Sequence, residues 1–144
     1  MALPGPEPGL VICYSYLWHS EHEAGREEGV KERPCVVVIS VRGVGGGQVV
    51  TVAPVTHAAP ADLSAAVEVP QPTKRRLGLD DAPSWVIVSE VNDFIWPGPD
   101  LRPVPHDPSR FDYGFLPPGL FRQVRDRITA WGRARKLRTV PRTE

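Results

Sequence analysis

Arg33 stands directly before Pro34 and the run CVVVI, so a guanidinium is placed at the mouth of an apolar strand. Proline is tolerated at a strand's first residue, and the β-branched run from Cys35 to Ile39 reads as a strand buried on both faces. A second polar group follows a similar run. In VAPVTHAAP (52–60), Thr56 and His57 come after apolar residues and before proline-bounded chain. If the glycine-rich GVGGG (43–47) joins the two strands as a hairpin, the start of one and the end of the other lie at the same end of the sheet. A guanidinium, a hydroxyl and an imidazole then come within reach of one another.

Such a set suits a phosphodiester. A planar guanidinium binds two phosphate oxygens at once and stabilises the added negative charge of a pentacoordinate transition state. RNA brings its own nucleophile, the 2′-OH, so its cleavage needs positioning and proton transfer but no metal. The plainer alternative is an arginine paired with the acidic loop before it and a threonine that merely ends a strand. That loop, HSEHEAGREEGVKE (19–32), is polar and punctuated by Gly25 and Gly29, so it reads as a long exposed connection of the kind that carries function. Before Arg33 it carries Glu21, Glu23, Glu27, Glu28 and Lys31.

Other chemistries find little support. The chain has no GxxxxGK[ST], HExxH, CxxC or GxSxG pattern. GVGGG precedes a strand rather than a helix, which argues for a turn and against a phosphate loop. His19 and His22 have the spacing to share a metal on one helical turn, but an exposed polar loop accounts for them as well. No metal site and no cofactor are expected. Cys13 and Cys35 both fall in apolar strands and read as reduced core cysteines, with a disulfide as the alternative.

The elements that must position these residues follow from patterning. With 144 residues, 41% hydrophobic and 24% charged, the chain reads as one soluble domain over 1–138, followed by a disordered tail at 139–144. The 17 prolines predict many turns and few long helices. Strands are expected at 9–18, 34–41, 48–56, 65–70 and 85–91. The segment 73–84 reads as a turn-rich connection, and the five prolines of WPGPDLRPVPHDP (96–108) rule out regular structure there. From 117 to 137 the period changes: Leu120, Val124, Ile128 and Trp131 recur at helical spacing. The pattern predicts a mainly β fold, a small bent sheet or barrel with a C-terminal helix packed on it. No stretch is long and apolar enough to span a membrane, and MALPGPEPG lacks the features of a secretory signal, so a cytoplasmic location is expected. Charge is uneven: residues 1–121 carry 9 basic and 15 acidic side chains, and 122–144 carry 8 and 2. A basic end of this kind can meet nucleic acid, an acidic partner, the protein's own acidic body, or only solvent.

PGLVICYSY, SEHEAG, KERPCVVVIS, VVTVAPVTH and SWVIVSEV, in that order, resemble the ordered motifs of the MazF/PemK toxins of bacterial toxin–antitoxin systems. The resemblance covers roughly residues 8–130. It implies an SH3-like barrel of the CcdB/PemK type with a C-terminal helix, paired as a homodimer. It also implies a sequence-specific, metal-independent endoribonuclease that cleaves single-stranded RNA and is neutralised by an antitoxin protein. Carried onto this sequence, Arg33 matches the family's catalytic arginine and Thr56 its catalytic threonine. Ser20 and one of Glu21 or Glu23 match the polar loop that approaches RNA. REEGVKE (26–32) stands out as an insertion, and Glu90 is followed by Val91 where many members have glutamine. The alternatives are a non-catalytic barrel that binds a protein target such as gyrase, and a nucleic-acid-binding barrel that uses the basic end.

Overall fold

The apolar run after Pro34 forms the middle of β2 (Arg33–Arg42), which pairs antiparallel with β1 (Leu10–Tyr14) on one edge and β3 (Gln48–Thr56) on the other. The computed structural model describes residues 3, 5–27, 29, 31–43, 45 and 47–142. Glu28 and Val30 of the acidic loop, Val44 and Gly46 of the glycine-rich turn, and Thr143 and Glu144 of the tail lie outside the described residues. Successive β2 side chains enter different cores, as strand alternation demands. Cys35 and Val37 pack with Ile12, Tyr14, Val50, Val52 and Phe94. Val36 and Val38 pack with Val11, Cys13, Ala53 and Val55. Burial on both faces therefore holds for 35–38, but Ile39 is 49% exposed. It lies just past a shift in the β2–β3 register between Val37 and Ile39.

The sheet has eight strands and runs β4 (Ala66–Glu68), β5 (Trp85–Ile87), β3, β2, β1, β7 (Asp112–Phe115). β6 (Glu90–Ile95) pairs with the first half of β3, whose last two residues pair with β5. β8 (Arg138–Pro141) lies parallel to β6, and the other pairs are antiparallel. The sheet is open, so of the two expected forms, a sheet or a barrel, these strands form the sheet. The fold is mainly β, with a C-terminal helix, α3 (Pro118–Arg133), covering one core. Of the four residues at helical spacing, Leu120, Val124 and Ile128 are buried, and Trp131 packs only partly buried against the same core.

Several expectations fail for identifiable reasons. The single strand expected at 85–91 is two strands, because Val88 donates to the Ala65 carbonyl while the Ser89 carbonyl accepts from Arg138, so the chain changes neighbours. The connection at 73–84 contains α2 (Gln71–Leu77), entered through Pro70 and Pro72 and ended by Gly78 at φ 75°. The loop at 19–32 opens with one helical turn, α1 (His19–Glu23). The tail is not disordered through 142. Its β8 strand pairs with β6, and Arg142, 3% exposed, forms a 2.9 Å ion pair with Asp100. For this arginine the protein's own acidic body is the partner. Cys13 and Cys35 are free thiols, and they point into opposite cores, which excludes a bond between them. No helix among the described residues is long and apolar enough to cross a membrane.

Candidate active site

β2 and β3 bring Arg33 and Thr56 together. The β2–β3 register runs as far as Cys35↔Pro54, and Arg33 and Thr56 lie two residues beyond that pair on their respective strands. The hairpin geometry expected from the glycine-rich turn is therefore the one observed. Both residues line a cleft of about 1110 Å³, which also takes in Lys31, His57, Asp80, Glu90, His106, Trp18 and Tyr113.

Arg33 sits half-buried with its guanidinium carbon 5.0 Å from the centre of the Trp18 ring. A cation over an indole face is a favourable contact, and it fixes the plane of the fork. Its Nε is buried and has no hydrogen-bond partner among the described residues. A desolvated N–H without a partner is costly, and such atoms in native structures call for an explanation. No ion pair joins Arg33 to an acidic residue of the preceding loop among the described residues. Thr56 Oγ1 accepts from the Ala58 amide at 3.2 Å, which occupies an acceptor site and leaves its own O–H to donate elsewhere.

His57 Nε2 lies 2.9 Å from one Asp80 oxygen and 3.0 Å from the other. Asp80 in turn accepts from Lys74 Nζ at 2.9 Å. The Lys74 side chain is 1% exposed, and its Nζ also donates to the Ala82 carbonyl. The hydrogen bond from Lys74 is the largest influence on the Asp80 carboxyl and, helped by a weaker one from His57, holds it below its ordinary range against the opposing effect of burial. Burial pushes the Cys13 thiol up, so this cleft-lining cysteine is held protonated at neutral pH.

The remaining candidates divide by position. Lys31 is exposed at the cleft mouth. Glu90 lines the cleft, but its Oε1 already accepts from the Tyr16 hydroxyl at 3.0 Å and the His19 amide at 2.9 Å, which ties α1 to β6. Ser20, Glu21 and Glu23 lie on α1 and do not line the cleft. Glu21 accepts from the Trp18 amide at 3.0 Å, closing the first turn of α1, and Glu23 pairs with His19 Nε2 at 3.2 Å. His19 Nδ1 faces Arg138, so His19 is committed on both ring nitrogens. No group of three or more His, Cys, Asp or Glu side chains with the arrangement of a metal site occurs among the described residues.

Sequence reasoning missed Asp80, Lys74, Trp18 and His106. A lysine four positions into a seven-residue helix gave no signal of burial, and Asp80 and His106 approach the cleft from chain that had been assigned to turns. Comparison with known proteins adds no family: no protein-family model matches the chain, and no curated protein matches it.

Proposed function

We propose that this protein is a metal-independent endoribonuclease that cleaves single-stranded RNA, acting in the cytoplasm as the toxin of a toxin–antitoxin pair. One observation carries the reading: Arg33, which lines the same cleft as Thr56, has a buried Nε–H with no partner among the described residues. The Nε–H and an adjacent Nη–H form the fork that accepts two phosphate oxygens side by side. An incoming phosphate satisfies the orphan donor, and the fork then stabilises the charge that grows on the equatorial oxygens as the 2′-oxygen attacks. Thr56 donates its free O–H to a non-bridging oxygen and fixes the phosphate against the fork.

The motif order that resembles MazF/PemK toxins supports the same reading and supplies its finer parts. These are cleavage at a preferred sequence, an antitoxin that covers the cleft, a homodimer, and an open version of the SH3-like barrel of the CcdB/PemK type. No observation favours the gyrase-binding or purely nucleic-acid-binding alternatives.

The test is incubation of the chain with a single-stranded RNA and with its DNA counterpart in excess EDTA. The expected result is cleavage of the RNA alone, giving 2′,3′-cyclic phosphate and 5′-hydroxyl ends, because the attacking oxygen belongs to the RNA. Cleavage that requires an added divalent ion, or products with 3′-hydroxyl ends, contradicts the proposal.

A further inference from the structure

Proton transfer is the part of the reaction that Arg33 and Thr56 leave unassigned. Glu21 and Glu23 are outside the cleft, and Glu90 is held by Tyr16 and His19. His57 is next to Thr56 in the chain, lines the cleft, and among the described residues is held through Nε2 alone. Its anchor is itself anchored. Asp80 is fixed by a lysine that is 1% exposed, and the Ala82 carbonyl that shares this lysine also accepts from Ser84 Oγ at 3.2 Å. A surface aspartate beside a histidine is ordinarily mobile. Here a buried ammonium behind it sets the carboxylate, and the carboxylate sets the ring.

Resting on the endoribonuclease reading, we propose that His57 is the proton acceptor of this cleft, that Asp80 is its positioning residue, and that Lys74 holds Asp80 in place. With Asp80 accepting from Nε2–H, the neutral ring carries its lone pair on Nδ1. The RNA 2′-O–H gives its proton to Nδ1 as the 2′-oxygen forms a bond to phosphorus. The P–O5′ bond breaks, its electron pair stays on O5′, and O5′ takes a proton from water. The imidazolium then returns its proton to solvent, so the cycle closes with a cyclic phosphate and a 5′-hydroxyl. The other charged and titratable groups that line the cleft with His57 and Asp80 are Cys13 from β1, Lys31, Glu32 and Arg33 from the β2 entry, Glu90 from β6, His106 from the 96–111 connection and Tyr113 from β7.

Two measurements test this. In the native chain, ¹⁵N shifts of the His57 ring, assigned by the signal lost in His57→Gln, should show the Nε2–H tautomer predominating in the neutral form. A ring that is mainly Nδ1–H overturns the clamp. In RNA cleavage, His57→Gln should lower kcat by about 10²–10⁴-fold and remove the acidic limb of the pH–rate profile, with KM little changed. Asp80→Asn, which keeps an oxygen for Lys74, should lower kcat by a smaller factor, and the acidic limb should move. Native cleavage of RNA together with a native rate and pH profile in His57→Gln sinks the proposal alone. No cleavage by the native chain sinks the proposal and the endoribonuclease reading together.

Discussion

Thr56 offers one hydroxyl whose acceptor side is engaged by the Ala58 amide. Its donated hydrogen bond goes, on this account, to a charged phosphate oxygen, and such bonds are worth about 1.5–3 kcal/mol. Thr56→Ala is therefore expected to slow cleavage by about ten- to a hundredfold, whereas Thr56→Ser keeps the hydroxyl and most of the rate. Steady-state cleavage of one RNA by the three proteins checks this, and equal rates in all three would remove Thr56 from the chemistry. The two cysteines make the opposite kind of claim. Both are fully buried, and burial pushes both thiols up, Cys35 more than Cys13. A thiolate, not a thiol, attacks disulfide reagents. Neither cysteine should react with such a reagent in the native protein, and both should react once it is unfolded. Rapid labelling of either in the folded chain would show that its strand opens readily.

At the scale of elements, β8 is the feature least expected from sequence, and besides its pairing with β6 and the buried Val140 it is followed by a buried arginine. Arg142 donates to the Ser15 carbonyl at 2.8 Å and to Asn92 Oδ1 at 3.2 Å, besides its ion pair with Asp100. Removing one partner of a buried pair strands the other, at a cost of about 3–5 kcal/mol. Arg142→Ala should lower unfolding stability in denaturant by that amount, and a change below 1 kcal/mol would mean that β8 is held by its backbone pairing. An arginine two residues from the end of a basic segment reads as solvated because nothing local to it reveals Asp100, 42 positions earlier. Local patterns fared better. The β2–β3 hairpin and the buried stripe of α3 were legible because both periodicities lie within a few residues of chain. That Arg33 and Thr56 share one cleft followed from that hairpin. The clamp on His57 was not legible, since α2 is too short to show a period and its lysine turns back onto Asp80 and Ala82 in the irregular chain that follows.

On the scale of the whole molecule, the exposed basic residues from Arg133 onward are Arg133, Arg135, Lys136 and Arg138, with Arg142 inside the fold. Any contact of this end with RNA phosphates rests on those, and it would show as a salt dependence of binding that flattens when they are neutralised. Pairing of two copies, expected from the family resemblance, predicts dimer mass by light scattering at micromolar concentration, and monomer mass alone counts against that part of the proposal. The central claim, that Arg33 acts on the phosphate rather than on the fold, has a direct test. Replacing Arg33 removes its contact over Trp18, but it also removes the desolvated Nε–H, and the two effects on stability oppose each other. The measurement is the RNA cleavage rate of Arg33→Ala and Arg33→Lys beside the native chain, with the thermal midpoint of each. The account predicts near-native midpoints, a rate lower by about 10²–10³ in Arg33→Ala, and little recovery in Arg33→Lys. A native cleavage rate in Arg33→Ala, or a chain that no longer folds, would contradict it.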